Sequence, residues 1–165
     1  MITFLKAEEQ HQHSNGGGWV ANTAVVAASA YIGPDAWVSD NAQVCDNAWV
    51  CGDAQVYGDA CVCSHALVYS TAQVYGDAQV YGNARVYGDA RVYGNARVFG
   101  NARVYGNAQV CDNAWVCGDA RVYGNAWVYG TAQVYGDARV CDHARVYGQY
   151  AGAPYSGPVA AQEKI

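Results

Sequence analysis

A six-residue pattern recurs twenty-one times between Ala24 and Gln149 without an insertion. Its form is Ala-x-Val-x-(Gly or another residue)-(Asp, Asn or another residue), as in the hexad from Ala84 to Asp89. The first position is Ala in every copy, and the third is Val in every copy except Ile32. Chains with so short and regular a period fold by stacking one small unit on the next. Most of this protein is therefore one architectural unit.

The order of residues within the hexad predicts a short strand. Ala and Val are two residues apart, so both point to the same side of an extended chain. Val suits a pleated, half-buried surface, and we expect Ala and Val to form the core while the residue after each faces solvent. The closing Gly-Asp or Gly-Asn pair predicts a corner, because Gly, Asn and Asp tolerate positive φ. The hexad thus predicts a four-residue strand followed by a two-residue corner.

A helix is excluded by the same pattern. Each Gly inside a helix costs about 1 kcal/mol relative to Ala. A period of six also leaves no continuous apolar stripe on a helix of 3.6 residues per turn.

The pattern resembles the hexapeptide repeat of the left-handed parallel β-helix superfamily, in which a small residue follows an aliphatic residue by four positions. Matching pairs are Val86 and Ala90, Val92 and Ala96, and Val98 and Ala102. The resemblance covers residues 18–149 and implies an all-β fold, a single-stranded, three-sided, left-handed parallel β-helix. Three hexads would form one coil of about 18 residues, which gives about seven to eight coils spaced ~4.8 Å apart. The left hand is implied by the resemblance alone, since parallel crossovers generally favour the right hand.

The ends of the repeat divide the chain into three parts, within one domain of 165 residues. Residues 1–17 are predicted to form an N-terminal cap and joint, residues 18–149 the solenoid, and residues 150–165 a C-terminal cap or flexible tail. A cap is expected because a bare solenoid end exposes unpaired strand edges. The stretch Gly16–Val20 is also similar to the Gly-Gly-Trp-Val entry of some enterobacterial and phage hexapeptide proteins described as transferases.

Composition restricts the partners and the location of the protein. The net charge of −5 argues against specific nucleic-acid binding. No apolar run approaches the ~18 residues of a membrane span, and Met1–Ala7 is too short for the core of a signal peptide. Seven cysteines, an odd number, indicate free thiols and a cytoplasmic location.

Residues 18 positions apart should stack in columns on the outer faces. One column would carry four consecutive arginines beside a column of tyrosines: Arg85, Arg103, Arg121 and Arg139, with Tyr87, Tyr105 and Tyr123. These residues are candidates for binding a glycan or an anionic polymer, because Arg makes bidentate contacts and Tyr offers a stacking surface. The alternative is that Arg simply occupies a permissive outward position, with cation–π contacts and corner Asp residues relieving the repulsion.

Large apolar residues concentrate near the N-terminal end of two outer columns. Trp49 and Leu67 belong to the column of the four arginines, whereas Trp19 and Trp37 belong to a column on a second face. If exposed, they would form an apolar patch suited to a homo-oligomer interface. The alternative is that the N-terminal segment folds over them.

Acyl transfer is the activity that the resemblance most readily implies, with acyl-CoA as co-substrate, a His base and a site between the subunits of a trimer. The repeat contains only His65 and His143, both at corner positions and thirteen hexads apart. It also lacks any loop insertion that could line a site. No cofactor is expected otherwise.

A metal site is the second chemical alternative. Cys61, Cys63 and His65 lie close together in the chain, and Cys45 should stack on Cys63 one coil earlier. Thiolate and imidazole are zinc ligands, but Cys-x-Cys-x-His is not a standard zinc spacing. We therefore expect no metal.

The leading hypothesis is a non-enzymatic structural or binding β-solenoid that self-associates through its flat faces or its ends. The two alternatives are an acyl-CoA-dependent acyltransferase and a glycan- or polyanion-binding protein of a phage or cell surface.

Overall fold

The computed structural model describes residues 9–151, 154–155 and 160–161, with side chains for residues 9–148. The fold is an all-β parallel solenoid of about seven turns of 18 residues with three sheets, as the hexad and its resemblance to a three-sided parallel β-helix imply. Residues 1–8 of the predicted cap and most of the predicted 150–165 segment lie outside the described residues. The left hand stays a prediction. Within the described residues, no helix is long and apolar enough to cross a membrane.

The strands follow one another at the hexad period. In chain order they are β1 Gln10–Gln12, β2 Trp19–Ala21, β3 Val25–Val26, β4 Tyr31–Ile32, β5 Trp37–Val38, β6 Gln43–Val44, β7 Trp49–Val50, β8 Gln55–Val56, β9 Cys61–Val62, β10 Leu67–Val68, β11 Gln73–Val74, β12 Gln79–Val80, β13 Arg85–Val86, β14 Arg91–Val92, β15 Arg97–Val98, β16 Arg103–Val104, β17 Gln109–Val110, β18 Trp115–Val116, β19 Arg121–Val122, β20 Trp127–Val128, β21 Gln133–Tyr135, β22 Arg139–Val140, β23 Arg145–Tyr147, β24 Gln149–Ala151, β25 Pro154–Tyr155 and β26 Ala160–Ala161.

Every third strand joins the same sheet, so that three flat sheets enclose the core. Sheet A has the order β1-β2-β5-β8-β11-β14-β17-β20-β23-β26. Sheet B has the order β3-β6-β9-β12-β15-β18-β21-β24, and sheet C the order β4-β7-β10-β13-β16-β19-β22-β25. From β2 to β23 the pairing is parallel with a register of 18 residues, for example Arg85 opposite Arg103. This register confirms the predicted columns.

The regular strands are mostly two residues long, where the hexad predicts four. The hydrogen-bond ladder nevertheless uses all four residues, because Arg85 N donates to Ala102 O and Tyr87 N donates to Val104 O. The first residue of the hexad contributes only its carbonyl oxygen to the ladder, and the fourth residue contributes only its backbone amide. The prediction was therefore right about pairing and wrong about strand length.

The core consists of the Ala and Val positions of the hexad. From Ala30 to Ala144 these residues are fully buried, with Ile32 as the largest of them. The first hexad differs, since Ala24 and Val26 are only partly buried. Burying one Val contributes roughly 1.5–3 kcal/mol, and here that contribution is repeated in every coil.

The corners hold a left-handed residue at the fifth position of the hexad. This residue is usually Gly, but Asp40, Asp46 and Asp112 adopt φ between 56° and 59° there. Each of these carboxylates accepts a hydrogen bond from the backbone amide one coil later, as Asp40 Oδ2 does from Gly58 N at 2.9 Å. Corner side chains thus connect neighbouring coils as well as tolerating the turn.

The N-terminal edge is covered by residues 10–18. Strand β1 pairs antiparallel with β2 at the edge of sheet A, and Gly18 N donates to Ile32 O at the edge of sheet C. His13 is buried there, with Nε2 3.1 Å from the Ala30 carbonyl oxygen. Over sheet B, no strand of the described residues pairs with the outer edge of β3, where Val25 is 65% exposed.

Candidate ligand-binding face

The four arginines lie on consecutive strands of sheet C. They occupy the second position of their hexads, on β13, β16, β19 and β22, and pair directly in register. Arg103 and Arg121 are half-buried, whereas Arg85 and Arg139 are exposed. We call this column, together with the tyrosines beside it, the Arg–Tyr face; its members are Arg85, Arg103, Arg121, Arg139, Tyr69, Tyr87, Tyr105 and Tyr123.

The tyrosines of this face form a continuous parallel stack. The ring centroids of Tyr69 and Tyr87 are 4.8 Å apart with planes 4° from parallel. The next two steps, to Tyr105 and then Tyr123, measure 4.9 Å and 5.0 Å. The coil spacing imposes this separation, because identical rotamers repeat at every coil. The result is a rigid aromatic strip with little rotamer freedom left to lose on binding.

Within the part of the chain that the structure describes, the guanidinium groups of this face have no acidic partner at ion-pair distance. Among residues 9–148, no carboxylate oxygen lies within 4.0 Å of a nitrogen of these four arginines. The arginines of the other faces differ, because Arg97 and Arg145 lie over the rings of Trp115 and Trp127 at 5.3 Å and 5.6 Å. Like charges one coil apart, at ~4.8 Å, are closer than the Debye length of about 8 Å in physiological salt, so they repel one another without much screening.

The corner next to the tyrosines is also neutral in its central part. The sixth hexad position at this corner is Asn107 in one coil and Asn125 in the next, whereas many other hexads have Asp at this position. On the opposite side of the face, Asp119 accepts a hydrogen bond from Asn101 at 3.0 Å. The Arg–Tyr face thus carries four guanidinium groups beside a corner that is neutral at Asn107 and Asn125, on a protein with net charge −5.

Ring stacking also changes the ionisation of the tyrosines. Burial raises the pKa of Tyr69 and of Tyr105 above the ordinary 10.0, and the neighbouring Tyr87 raises both further, while the arginines act in the opposite direction. Burial has the same effect on the pKa of Tyr57 and Tyr75 in sheet A.

Alkaline pH is therefore expected to destabilise the solenoid. Because the folded pKa of these phenols is raised, their contribution to stability is complete below the unfolded pKa of about 10 and is lost as pH rises through the folded pKa. We expect tyrosinate absorbance to titrate above pH 10 in the native protein and near pH 10 in denaturant. Equal midpoints in the two states would contradict the burial of these rings.

The apolar residues proposed for an interface stack on their neighbours 18 positions away, as the predicted columns require. Trp19 and Trp37 stack at 5.9 Å and are half-buried. Trp49 is 49% exposed and contacts Tyr31 at 4.7 Å, with Leu67 in the next coil. Residues 10–12 extend the edge of sheet A and do not lie over its outer face. Whether these residues form an interface stays a prediction.

The two histidines of the repeat are not brought together. His65 and His143 are both exposed at corners. His143 Nε2 is 3.5 Å from Asn125 Nδ2, and His65 N donates to Gly82 O. Among the described residues, neither imidazole has a hydrogen bond to a hydroxyl, thiol or carboxylate group.

Three of the four suggested metal ligands do converge. The sulfurs of Cys45, Cys61 and Cys63 all lie within 4.8 Å of one another, and His65 is not part of the group. Burial, and then the neighbouring Cys63 and Cys61, raises the pKa of the Cys45 thiol to about 12. All seven cysteines are free thiols in the structure.

Two structural roles were not foreseen from the sequence. His13 closes the N-terminal end, and the only signal for it was its position in the non-repeating segment before the first coil. On sheet A, Trp127 Nε1 donates to Cys111 Sγ at 3.1 Å. That contact joins residues 16 apart, diagonally between columns, where the 18-residue period predicts no neighbour.

Comparison with known families agrees with this architecture. Six stretches of the chain match the family model described as the YdcK beta solenoid repeat, namely residues 42–58, 78–94, 90–106, 96–112, 114–130 and 132–148. Together they cover just over half of the chain. No curated protein matches the sequence.

Proposed function

Because the chain belongs to the YdcK beta-solenoid repeat family, whose description names an architecture and no activity, we propose that it is a non-enzymatic binding rod. In this proposal the Arg–Tyr face holds an extended anionic polymer, such as an acidic polysaccharide. The observation that carries it is the ladder of four arginines, which have no acidic partner among the described residues, beside four stacked tyrosines.

The two columns supply complementary contacts. Each guanidinium can bind a carboxylate or sulfate with two parallel hydrogen bonds. The tyrosine rings present apolar surface and hydroxyl groups to a sugar backbone. Because both columns repeat at ~4.8 Å, they suit a repetitive ligand that runs along the axis of the rod better than a compact metabolite.

An enzymatic role receives less support. The acyltransferase alternative requires a His base at a subunit boundary, and His65 and His143 lie at separate exposed corners. Self-association through Trp49 and its neighbours is compatible with the binding rod and stays a separate prediction.

Binding is tested with heparin and polygalacturonate as anionic probes and dextran as a neutral one. We expect the protein to bind the anionic probes, with an affinity that falls as salt rises. The double substitution Arg103→Ala and Arg121→Ala should weaken binding by about tenfold or more. It should also lower the slope of log K against log salt by about 2, roughly one unit for each lost cation.

The matched control is the double substitution Arg91→Ala and Arg97→Ala. It changes the net charge by the same amount but removes arginines from sheets A and B. We expect this variant to bind nearly as well as the unmodified chain. Equal losses in the two variants would show only non-specific charge attraction, and turnover of acyl-CoA that depends on His65 or His143 would contradict a non-enzymatic role.

A further inference from the structure

We propose that Cys45, Cys61 and Cys63 form a three-thiolate site for one soft metal ion of the Zn(II) and Cu(I) class. The site lies on the outer face of sheet B, away from the Arg–Tyr face on sheet C. Its occupation does not depend on the function proposed above.

The repeat itself brings the three sulfurs together. Cys61 and Cys63 are two residues apart on and just after β9, so both point outward. Cys45 occupies the position equivalent to that of Cys63, one coil earlier. The two coils are hydrogen-bonded there, because Cys45 N donates to Val62 O at 3.0 Å. All three side chains are half-buried.

Their separations fit a single ion. Sulfurs bound at the usual Zn–S distance of ~2.3 Å lie about 3.8–4.0 Å from one another in tetrahedral or trigonal geometry. The observed separations of at most 4.8 Å need only small side-chain rotations to reach that range. The flat face supplies three ligands from one side, which leaves a further coordination position toward solvent.

The chemistry of the ligands selects the class of metal. Thiolates are soft ligands that prefer Zn(II), Cu(I) and related ions over Mg(II) or Ca(II). Cys61 also stands apart in the sequence, because the other six cysteines occupy the fourth hexad position and Cys61 occupies the second. It is this residue that turns a stacked pair of thiols into a triangle.

The remaining cysteines provide an internal comparison. Cys117 occupies the same column of sheet B as Cys63, three coils later, but its column neighbours are Phe99 and Tyr135. It therefore resembles Cys63 in position and lacks neighbouring thiols.

The test is metal titration of the full chain, reduced and under anaerobic conditions. Before titration, a thiol assay should count seven free cysteines. Cd(II) should then produce a thiolate-to-metal charge-transfer absorbance that saturates at one ion per chain. Competition of Zn(II) with a chromophoric chelator, and of Cu(I) with a Cu(I)-specific chelator, measures which of the two ions binds more tightly.

Single variants distinguish a built site from scattered thiols. Cys63→Ser and Cys61→Ser should each weaken Zn(II) or Cu(I) binding at least about 100-fold, since even residues outside the ligand shell of a metal site cost about 10–100-fold. Cys117→Ser should bind as the unmodified chain does, and circular dichroism checks that every variant is folded. The proposal is overturned if the unmodified chain gives no saturable charge-transfer band, or if Cys117→Ser loses as much affinity as Cys63→Ser.

Discussion

Replacing Val104 with Asp is expected to abolish the cooperative folding of the solenoid. Val104 is completely buried on β16, in the middle of the stack of coils. A carboxylate there has no cation inside the core and must either stay unpaired or become protonated. We expect the free energy of unfolding to fall by at least about 4 kcal/mol.

The position of the substitution adds a second expectation. Each coil of a solenoid contacts only its neighbours, so a defect in the middle uncouples the coils on its two sides. Denaturation followed by circular dichroism should therefore show a lower midpoint and two separate transitions. Limited proteolysis should cut near the substituted residue, in the corners on either side of β16.

The control is the adjacent residue. Arg103→Gln changes an outward position that other hexads already fill with Gln, such as Gln79. We expect it to alter stability by less than about 0.5 kcal/mol. A similar loss in the two variants would mean that the alternation between core and outer face is not what holds the fold together.

Replacing Gly106 with Val is the second substitution with a large expected effect. Gly106 has φ of 70°, where a β-branched residue is strained. A Cβ at this position would also meet the backbone N and O of Gly124, one coil later, at 3.1 Å and 3.2 Å. Strain and contact together should cost about 3 kcal/mol or more in thermal or urea denaturation.

Two further variants separate these causes. Gly136 has φ of 64°, but no atom of the described residues lies within 4 Å of its Cβ direction, so Gly136→Val tests mainly backbone strain and should cost less. Gly106→Asp should be the mildest change at that site, because Asp112 adopts the same conformation and accepts the Gly130 amide at 2.9 Å. If Gly106→Asp were as damaging as Gly106→Val, the proposed role of the corner carboxylates would be wrong.

Much of the fold could be predicted because one short pattern is repeated. The spacing of Ala and Val predicts which residues form the core, and the 18-residue coil places Arg85 beside Arg103. The sequence therefore predicts the arginine column and three of the four tyrosines of the Arg–Tyr face, although the ligand of this face stays a proposal.

The sequence was less informative wherever the period is broken or where side chains from different columns meet. The segment 10–18 has no repeat, and its antiparallel strand and buried His13 depend on the shape of the exposed edge. In the same way, Cys-x-Cys-x-His suggested His65 as a ligand, but His65 is not part of the group of side chains whose ligand atoms lie within 4.8 Å of one another.

By itself, the sequence determined the strand period and the side of each strand that faces the core, because these follow from backbone geometry at a constant repeat. The columns on each face also required three hexads per coil, which the family resemblance implied and the register of 18 residues confirms. Only the tertiary structure decided which side chains touch across coils. The near-parallel stacking of Tyr69 on Tyr87 and the triangle of thiols depend on rotamers chosen by packing between neighbouring coils. The sequence period specifies the position of each Cα atom in its column, whereas packing against neighbouring coils determines the conformation of the side chain.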